Sequence, residues 1–396
     1  MNVLHILGSL NIGGAENLVL NLLETASKNG SPNRYSIVYM HPSKSNRVEL
    51  FGKLSDVSLI ECNKGLGSTL KFIKALRKHI CKKNIEIIHC HNNIDAYWAY
   101  LASFKTSVKK IVLTVHGLNL DFNFLGKKVK VFGNADRFIL KHLSKTYVSA
   151  VTRDFYKSKY GYNELEGEII YNGVKFHPET LTENFILNKA GYTKNHPLAN
   201  KEWVQPGKLA FGMVGNFNTP VRLQLLLCKA IGMLNEKYKG HLPFTFVFVG
   251  GMNTQNPELY NQCVEYCKSN STLNKDIFFL GSRNDVKEIL TILNGYVYCS
   301  SGDSFGLSVI EAIGAGLPTV CSNIETFREV LDNGKYGYLV NNDALELSNA
   351  IEKLYINITN KKEPLLDGVL NMAPFIVRDL YSLEKCLCKF EAKYKE

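Results

Sequence analysis

Residues 300–318 read SSGDSFGLSVIEAIGAGLP, directly after an apolar run at 296–299. Helical spacing starts near Phe305. The first backbone N–H groups of a helix have no acceptor within it, and the helix dipole adds positive potential there, so the amides of Phe305, Gly306 and Leu307 suit a phosphate. Asp303 precedes that turn and Glu311 follows eight positions later. A carboxylate accepts hydrogen bonds from hydroxyls, and its two oxygens match a vicinal diol. The spacing therefore suits a ligand carrying phosphate and polyol together, with Asp303 on a sugar and Glu311 on a ribose. Two plainer readings stay open. Asp303 has the chemistry of a helix N-cap, and Glu311 could be a solvated helix position, although Val309, Ile310, Ala312 and Ile313 around it point to a largely buried helix.

Other groups in the chain have similar potential. The segment Gly8-Ser9-Leu10-Asn11-Ile12-Gly13-Gly14-Ala15-Glu16 is a glycine-bearing loop between a strand and a helix, where backbone can approach a ligand without a Cβ clash. It lacks the Gly-x-Gly-x-x-Gly pattern of dinucleotide binding. His116 ends an apolar run in Thr114-Val115-His116-Gly117, either facing a ligand or satisfied by local structure. His89 and His91 also end a run, and we assign them no role.

The elements that must carry these residues alternate. Residues 2–7, 35–40, 57–60, 85–89, 110–115, 137–139 and 145–148 read as strands, with helices such as 69–82 and 96–104 between them. Residues 175–208 break the rhythm with Pro178, Pro197 and Pro206. Strands at 209–214, 244–249, 277–280, 296–299, 319–321 and 336–340 then alternate with helices at 223–234, 257–268, 285–293, 305–315, 327–331 and 344–355. A last helix is expected over 376–394. Such alternation implies parallel sheets covered on both faces. The organisation expected is an α/β chain of two doubly wound domains facing a cleft: 1–175, a connection 176–208, 209–375, and a terminal helix 376–396 returning to the first domain. At 396 residues and 45% hydrophobic content the chain is long enough for two cores.

Charge is uneven. The first 200 residues hold 27 Lys+Arg against 15 Asp+Glu, while the remainder holds 20 against 21. A basic half suits nucleic acid, anionic lipid or a phosphorylated substrate. No zinc-finger spacing or aromatic-basic module supports nucleic acid. The stretch TLKFIKALRKHICKK over 69–83 sets Leu70, Ile73, Leu76 and Ile80 against Lys71, Lys74, Arg77, Lys78 and Lys82, and residues 126–145 add further basic groups. Such a helix either rests on anionic lipid or packs as an ordinary core helix with a solvated face. The ten cysteines lack metal-site spacing and read as reduced core thiols, which fits a cytoplasmic protein. No apolar run reaches the roughly 18 residues of a membrane span.

The 300–318 segment resembles the acidic-x7-acidic motif of family 4 glycosyltransferases, followed by Glu-Ala-x-x-x-Gly-x-Pro. Asp303 stands where that family usually has Glu. The glycine loop at 8–16, Thr114-Val115-His116-Gly117, Val148-Ser149-Ala150 and Asn172-Gly173-Val174 resemble its first-domain blocks in the same order. Residues 278–286, FFLGSRNDV, resemble the segment bordering the nucleotide base, with Arg283 in it. The resemblance implies the GT-B fold and retaining, metal-independent transfer of a sugar from a nucleotide diphosphate sugar to a glycan or lipid-linked acceptor. It implies donor contacts from Gly13, Gly14, Asn216, Arg283, Phe305, Gly306, Leu307 and Glu311, with Asp303 and His116 at the sugar. No cofactor or metal is expected. In Gly212-Met213-Val214-Gly215-Asn216-Phe217-Asn218-Thr219-Pro220-Val221-Arg222 the family's Arg position holds Asn216, and Arg222 falls near its Lys position. The departing diphosphate needs a cation, and a guanidinium can hold it by paired hydrogen bonds; Arg222 takes that role. The departures at Asn216 and Asp303 keep two other readings open, a noncatalytic scaffold of a glycan-assembly complex and a nucleotide-sugar epimerase. The location implied is cytoplasmic, with the inner face of the cell membrane as a peripheral site.

Overall fold

The computed structural model describes residues 1–11, 13–63, 66–118, 133–161, 163–176, 198, 200–360 and 369–396; of 66, 133–135, 360 and 369–371 it describes the backbone alone. The chain divides into two compact units, Met1–Gly173 with Tyr381–Glu396, and Val174–Leu380. The basic segment 126–132 and most of the 176–208 connection lie outside the described residues.

Unit 1 holds seven parallel strands: β1 (Asn2–Leu7), β2 (Arg34–Tyr39), β3 (Asp56–Leu59), β4 (Ile87–Cys90), β5 (Lys110–Val115), β6 (Ser144–Tyr147) and β7 (Glu168–Ile169). Their order across the sheet is β3-β2-β1-β4-β5-β6-β7. Unit 2 holds β8 (Leu209–Val214), β9 (Phe244–Val249), β10 (Ile277–Phe279), β11 (Gly295–Tyr298), β12 (Thr319–Ser322) and β13 (Tyr338–Val340), ordered β10-β9-β8-β11-β12-β13 and also all parallel. The apolar runs make this arrangement stable: β4, β9 and β11 are buried along their whole length, as strands covered by helices on both faces must be. In each unit the order reverses once, between β1 and β4 and between β8 and β11. The crevice at the carboxyl ends of strands on either side of such a reversal is where doubly wound sheets bind ligands. That places His5, His89 and His91 at one reversal, and Arg222 and Asp303 at the other.

Two expectations need correction, and one helix was not expected. Residues 137–139 are not a strand but lie in helix Gly133–Lys141, where Ile139, Leu140 and the following Leu143 are buried at helical spacing; three residues were too few to show a period. Residues 376–394 form two helices, Val369–Leu380 and Leu383–Lys395. The break lies where the chain passes from one unit to the other, and the Ser382 hydroxyl caps the second helix by accepting from the Lys385 amide at 3.2 Å. Val148-Ser149-Ala150 opens an unforeseen helix, Ala150–Tyr160, with Ser149 accepting from the Thr152 amide at 3.0 Å.

Helix Leu383–Lys395 belongs to unit 1. Its Leu383, Leu387 and Phe390 pack with Leu18, Leu22 and Ala26 of helix Gly14–Lys28. Glu391 accepts from Asn33 Nδ2 at 3.1 Å and Tyr35 Oη at 3.0 Å, and from the Ser31 hydroxyl.

In unit 2, helix Leu307–Gly314 is fixed at its far end. Arg378 Nε donates to the Gly314 carbonyl at 2.6 Å, completing an acceptor that the helix leaves open. A Cβ on Gly314 would lie 2.1 Å from the Phe176 ring. Gly314→Ala is therefore expected to destabilise unit 2 by about 1–3 kcal/mol through overpacking. The check is the thermal midpoint, and Phe176→Leu in the same chain should recover part of the loss.

Candidate active site

The β8 end is built around glycine. The Gly215 amide donates to Val249 O at 2.8 Å, and a Cβ on Gly250 would meet Gly215 O at 2.2 Å, so the ends of β8 and β9 approach too closely for side chains. Asn216 Oδ1 accepts from the Gly251 amide at 2.8 Å. Asn216 thus staples two loops together, while its backbone carbonyl serves Arg222.

Arg222 lies across this end. Its Nε donates to Tyr298 Oη at 3.1 Å, and its Nη1 to Asn218 Oδ1 at 2.9 Å and Asn216 O at 3.3 Å. A Cβ on Gly215 would be 3.0 Å from Arg222 Cδ, so glycine there leaves room for the side chain. Nη2 has no partner among the described residues. The guanidinium is half-buried, oriented by three acceptors, and keeps one edge open for an anion.

Asp303 connects to the same group. Its Oδ1 accepts from the Phe305 and Gly306 amides, each at 3.1 Å, and its Oδ2 accepts from Tyr298 Oη at 3.2 Å. The N-cap of helix Leu307–Gly314 is Gly306, not Asp303, whose carboxylate instead closes the turn ahead of the helix. This corrects the picture of three open amides: two are satisfied internally, and the Leu307 amide alone of the three has no acceptor among the described residues. Gly306 has φ +76°, and a Cβ there would meet Phe327 at 2.8 Å, so this turn requires glycine. Tyr298, nearly fully buried at the end of β11, bridges Arg222 and Asp303. Burial, with the adjacent Asp303 carboxylate, pushes its phenol well up, so it stays a donor to Asp303 and an acceptor from Arg222 at any working pH.

Glu311 lies in helix Leu307–Gly314; its backbone carbonyl accepts from the Ala315 amide at 2.9 Å, while its carboxyl has no hydrogen bond or ion pair among the described residues. By surface it is half-buried, yet protein atoms crowd its carboxyl. Desolvation raises its pKa from 4.5 to about 7, with Lys287 pulling the other way. A recessed acid without a partner costs stability and persists where a ligand uses it. Arg283, by contrast, is already engaged: its Nε and Nη2 grip Asp285 at 2.8 and 2.5 Å.

In unit 1, Gly13 precedes helix Gly14–Lys28, and a Cβ there would strike the Glu16 carboxyl at 2.1 Å; nothing crowds Gly14. His116, just past β5, is half-buried, and desolvation lowers its pKa to about 4. Its Nε2 pairs with His91 Nδ1 at 3.0 Å, and His91 Nε2 pairs with His5 Nδ1 at 3.0 Å. His89 stacks on His91 at 4.4 Å and bonds Tyr394 Oη and Thr114 Oγ1, each at 2.7 Å. His5, His89 and His91 are close enough together to be considered as metal ligands. Their geometry is poor for that use. Stacked rings carry their lone pairs in nearly parallel planes, and the facing nitrogens are already hydrogen-bonded, whereas zinc needs lone pairs converging tetrahedrally.

Tyr298, Lys287 and His5 were not singled out from sequence. Tyr298 reads as a strand-core residue. The signal for His5 was its place in β1, the strand paired with β4, with His5 opposite His89 in register.

Comparison with known proteins agrees with this layout. A model described as Glycosyltransferase Family 4 matches residues 12–177, and one described as Glycosyl transferases group 1 matches residues 208–357. The chain is similar to the Escherichia coli UDP-Gal:alpha-D-GlcNAc-diphosphoundecaprenol alpha-1,3-galactosyltransferase, 26% identical over 345 residues, covering 82% of this chain and 81% of that protein. It is also similar to the Bacillus anthracis N-acetyl-alpha-D-glucosaminyl L-malate synthase, 25% identical over 319 residues, 79% and 75% of the two chains. Among solved structures, a glycosyltransferase from Rickettsia africae ESF-5 superposes with a TM-score of 0.80 at 20% identity, covering 100% of this chain and 97% of that one. Anabaena HepE in complex with UDP and glucose gives 0.74 at 16% identity, covering 100% and 99%. Two Rossmann-like units of the GT-B type and this tandem of family matches define the class. The chain belongs to the group 1, family 4 glycosyltransferases, and it is a glycosyltransferase enzyme.

Proposed function

We propose that the chain transfers a hexosyl group from a nucleotide diphosphate sugar to a glycan or lipid-linked acceptor in polysaccharide or glycolipid synthesis, with retention at the anomeric carbon and without a metal. The observation that carries this reading is the recessed, unpartnered carboxyl of Glu311 in the unit that also presents the open edge of Arg222. Glu311 takes the ribose hydroxyls. Arg222 Nη2 and the Leu307 amide take the diphosphate, and Asp303, held by Tyr298, faces the sugar. As the anomeric C–O bond breaks, negative charge grows on the diphosphate, and preoriented donors lower that barrier most directly. His116 and the Gly13–Gly14 turn are the groups we assign to unit 1. The E. coli relative uses a UDP-sugar and a lipid-linked acceptor by name, and the Anabaena structure holds UDP and glucose, which supports a UDP-sugar donor here.

The test is a thermal-shift screen of nucleotides and nucleotide sugars, followed by product analysis with and without acceptor. A ligand that binds only the native state raises its midpoint. Nucleotide diphosphate released from the stabilising donor, and lost with Glu311→Ala, supports the enzyme. Binding without turnover favours a scaffold, and an epimerised sugar without acceptor favours an epimerase.

The membrane reading changes form. In helix Leu66–Lys83 the apolar stripe is spent on the core: Phe72, Leu76 and Ile80 are fully buried and Ile73 packs against them, leaving Leu70 exposed. Lys71, Lys74, Lys78 and Lys82 face solvent. Contact with anionic lipid is thus proposed as electrostatic and salt-sensitive, not as burial of this helix. No helix among the described residues is long and apolar enough to cross a membrane.

A further inference from the structure

The three rings His5, His91 and His116 form one hydrogen-bonded file on one face of the unit 1 sheet. The register explains it. His5 pairs with His89 and Ile6 with Cys90, while Cys90 pairs with Leu113 on β5. Side chains alternate faces along a strand, so residues two apart share a face. His89 and His91 therefore share one; continuing the register past Cys90–Leu113 sets Thr114 opposite His91, and His116, two residues on, lies on the same face within reach of His91. The result is two N···N contacts of 3.0 Å, with ring centroids 5.3 Å apart for His5–His91 and 5.2 Å for His91–His116.

All three rings are held neutral, because burial drives each pKa well down, to about 3 at His5 and about 4 at His116. A neutral imidazole carries one N–H and one bare nitrogen. Each N···N contact needs one of each. The three N–H groups must therefore point the same way along the file, and only two arrangements exist. In one, His116 Nε2 donates inward and its Nδ1 is a bare acceptor. In the other, His5 and His91 donate outward and His116 Nδ1 is a donor. The His116 ring cannot change sense alone.

His89 belongs to a separate chain. Thr146 Oγ1 reaches the Leu113 carbonyl at 3.5 Å, an acceptor only, so Thr114 donates to Thr146 at 2.7 Å. His89 Nε2–H then donates to Thr114, and bare Nδ1 accepts from Tyr394. His89 supports the file by stacking rather than by proton exchange.

We propose that His5 and His91 are positioning residues that lock the ring and tautomer of His116, so that its Nδ1 meets the substrate in one fixed hydrogen-bonding sense. This rests on the reading of His116 as a substrate-facing group. The experiment is 15N NMR of the full chain labelled in histidine, which identifies each ring's protonated nitrogen independently of turnover. The expected spectrum shows His5, His91 and His116 in concordant tautomers. His91→Phe should leave His116 as a mixture and lower kcat roughly 10- to 100-fold with the donor KM little changed. His91→Gln, whose amide can accept on one side and donate on the other, should restore both the single tautomer and most of the rate; it also serves if the Phe variant does not fold. Discordant tautomers, a folded His91→Phe in which His116 keeps a single tautomer and full rate, or a His91→Gln in which His116 becomes a mixture, would overturn the proposal. Full activity of His116→Ala would instead sink the reading of His116, and the spectra would still judge the file.

Discussion

Arg222→Met is expected to lower kcat/KM by about 10²–10³-fold, the range seen when one preoriented donor to a developing oxyanion is removed. The loss should fall mainly on kcat, because charge on the diphosphate is larger in the transition state than in the bound donor. Arg222→Lys should recover little. An ammonium carries the charge but cannot reach Tyr298, Asn218 and the Asn216 carbonyl as a rigid fork while offering an edge to phosphate. Tyr298→Phe separates orientation from charge. It leaves Arg222 in place, removes the hydroxyl between its Nε and Asp303 Oδ2, and should cost roughly tenfold, the worth of a buried hydrogen bond to a charged group. Steady-state kinetics on the three variants, with thermal midpoints to confirm folding, make the test. Near-normal turnover by Arg222→Met would remove the only cation we assign to the leaving group.

Much of this architecture could be read in advance, for a physical reason. Strands buried on both faces must be continuous apolar runs, and helices between them must carry a 3.6-residue stripe, so β1, β5, β8 and β9 match the expected bounds closely. The errors fell where three-dimensional partners decide. Residues 137–139 have too short a pattern to choose helix or strand. The break at Tyr381–Ser382 exists because the chain changes units there, which no local preference announces. The site divides in the same way. Asp303, Glu311 and Gly306 stand out because a turn and a helix set their spacing. Tyr298 was hidden: a buried strand tyrosine looks like core until its hydroxyl is found between a guanidinium and a carboxylate. Of the three rings in the His5 file, His91 and His116 stood out at strand ends while His5 lay unnoticed inside β1, and their union depends on strand order. β1 and β4 are 84 residues apart at the paired His5 and His89 yet are neighbours at the sheet's reversal. Lys71 to Lys82 show the opposite case, where a helix with a clear apolar stripe suggested lipid and the stripe proved to be core.

Glu311→Gln should move stability and binding in opposite directions, and pH should expose both. In the free protein the Glu311 pKa is raised from 4.5 to about 7 by desolvation. A raised pKa means that the native state holds the proton more tightly than the unfolded chain. The contribution is therefore fully present below about pH 4.5 and lost as pH rises through 7. At pH 8 the ionised carboxylate sits desolvated and unpartnered, at a cost of at most about 3 kcal/mol for a shift of this size. Glutamine keeps the shape without the charge, so Glu311→Gln should melt higher than the parent at pH 8 and close to it at pH 5. Nucleotide binding should respond the other way. The ionised form is the better acceptor for two ribose hydroxyls, so donor affinity should rise about tenfold between pH 6 and 8 and level off above the free pKa. In Glu311→Gln the profile should be flat and the affinity at pH 8 about 10- to 100-fold weaker, the worth of charge-assisted hydrogen bonds. Calorimetric titration with UDP, or with whichever nucleotide stabilises the chain, gives both curves. A gain in stability with a loss of affinity is the mark of a group kept for its ligand at the fold's expense. If affinity does not depend on pH in the parent, or survives unchanged in the glutamine variant, Glu311 is a strained helix residue and the ribose lies elsewhere.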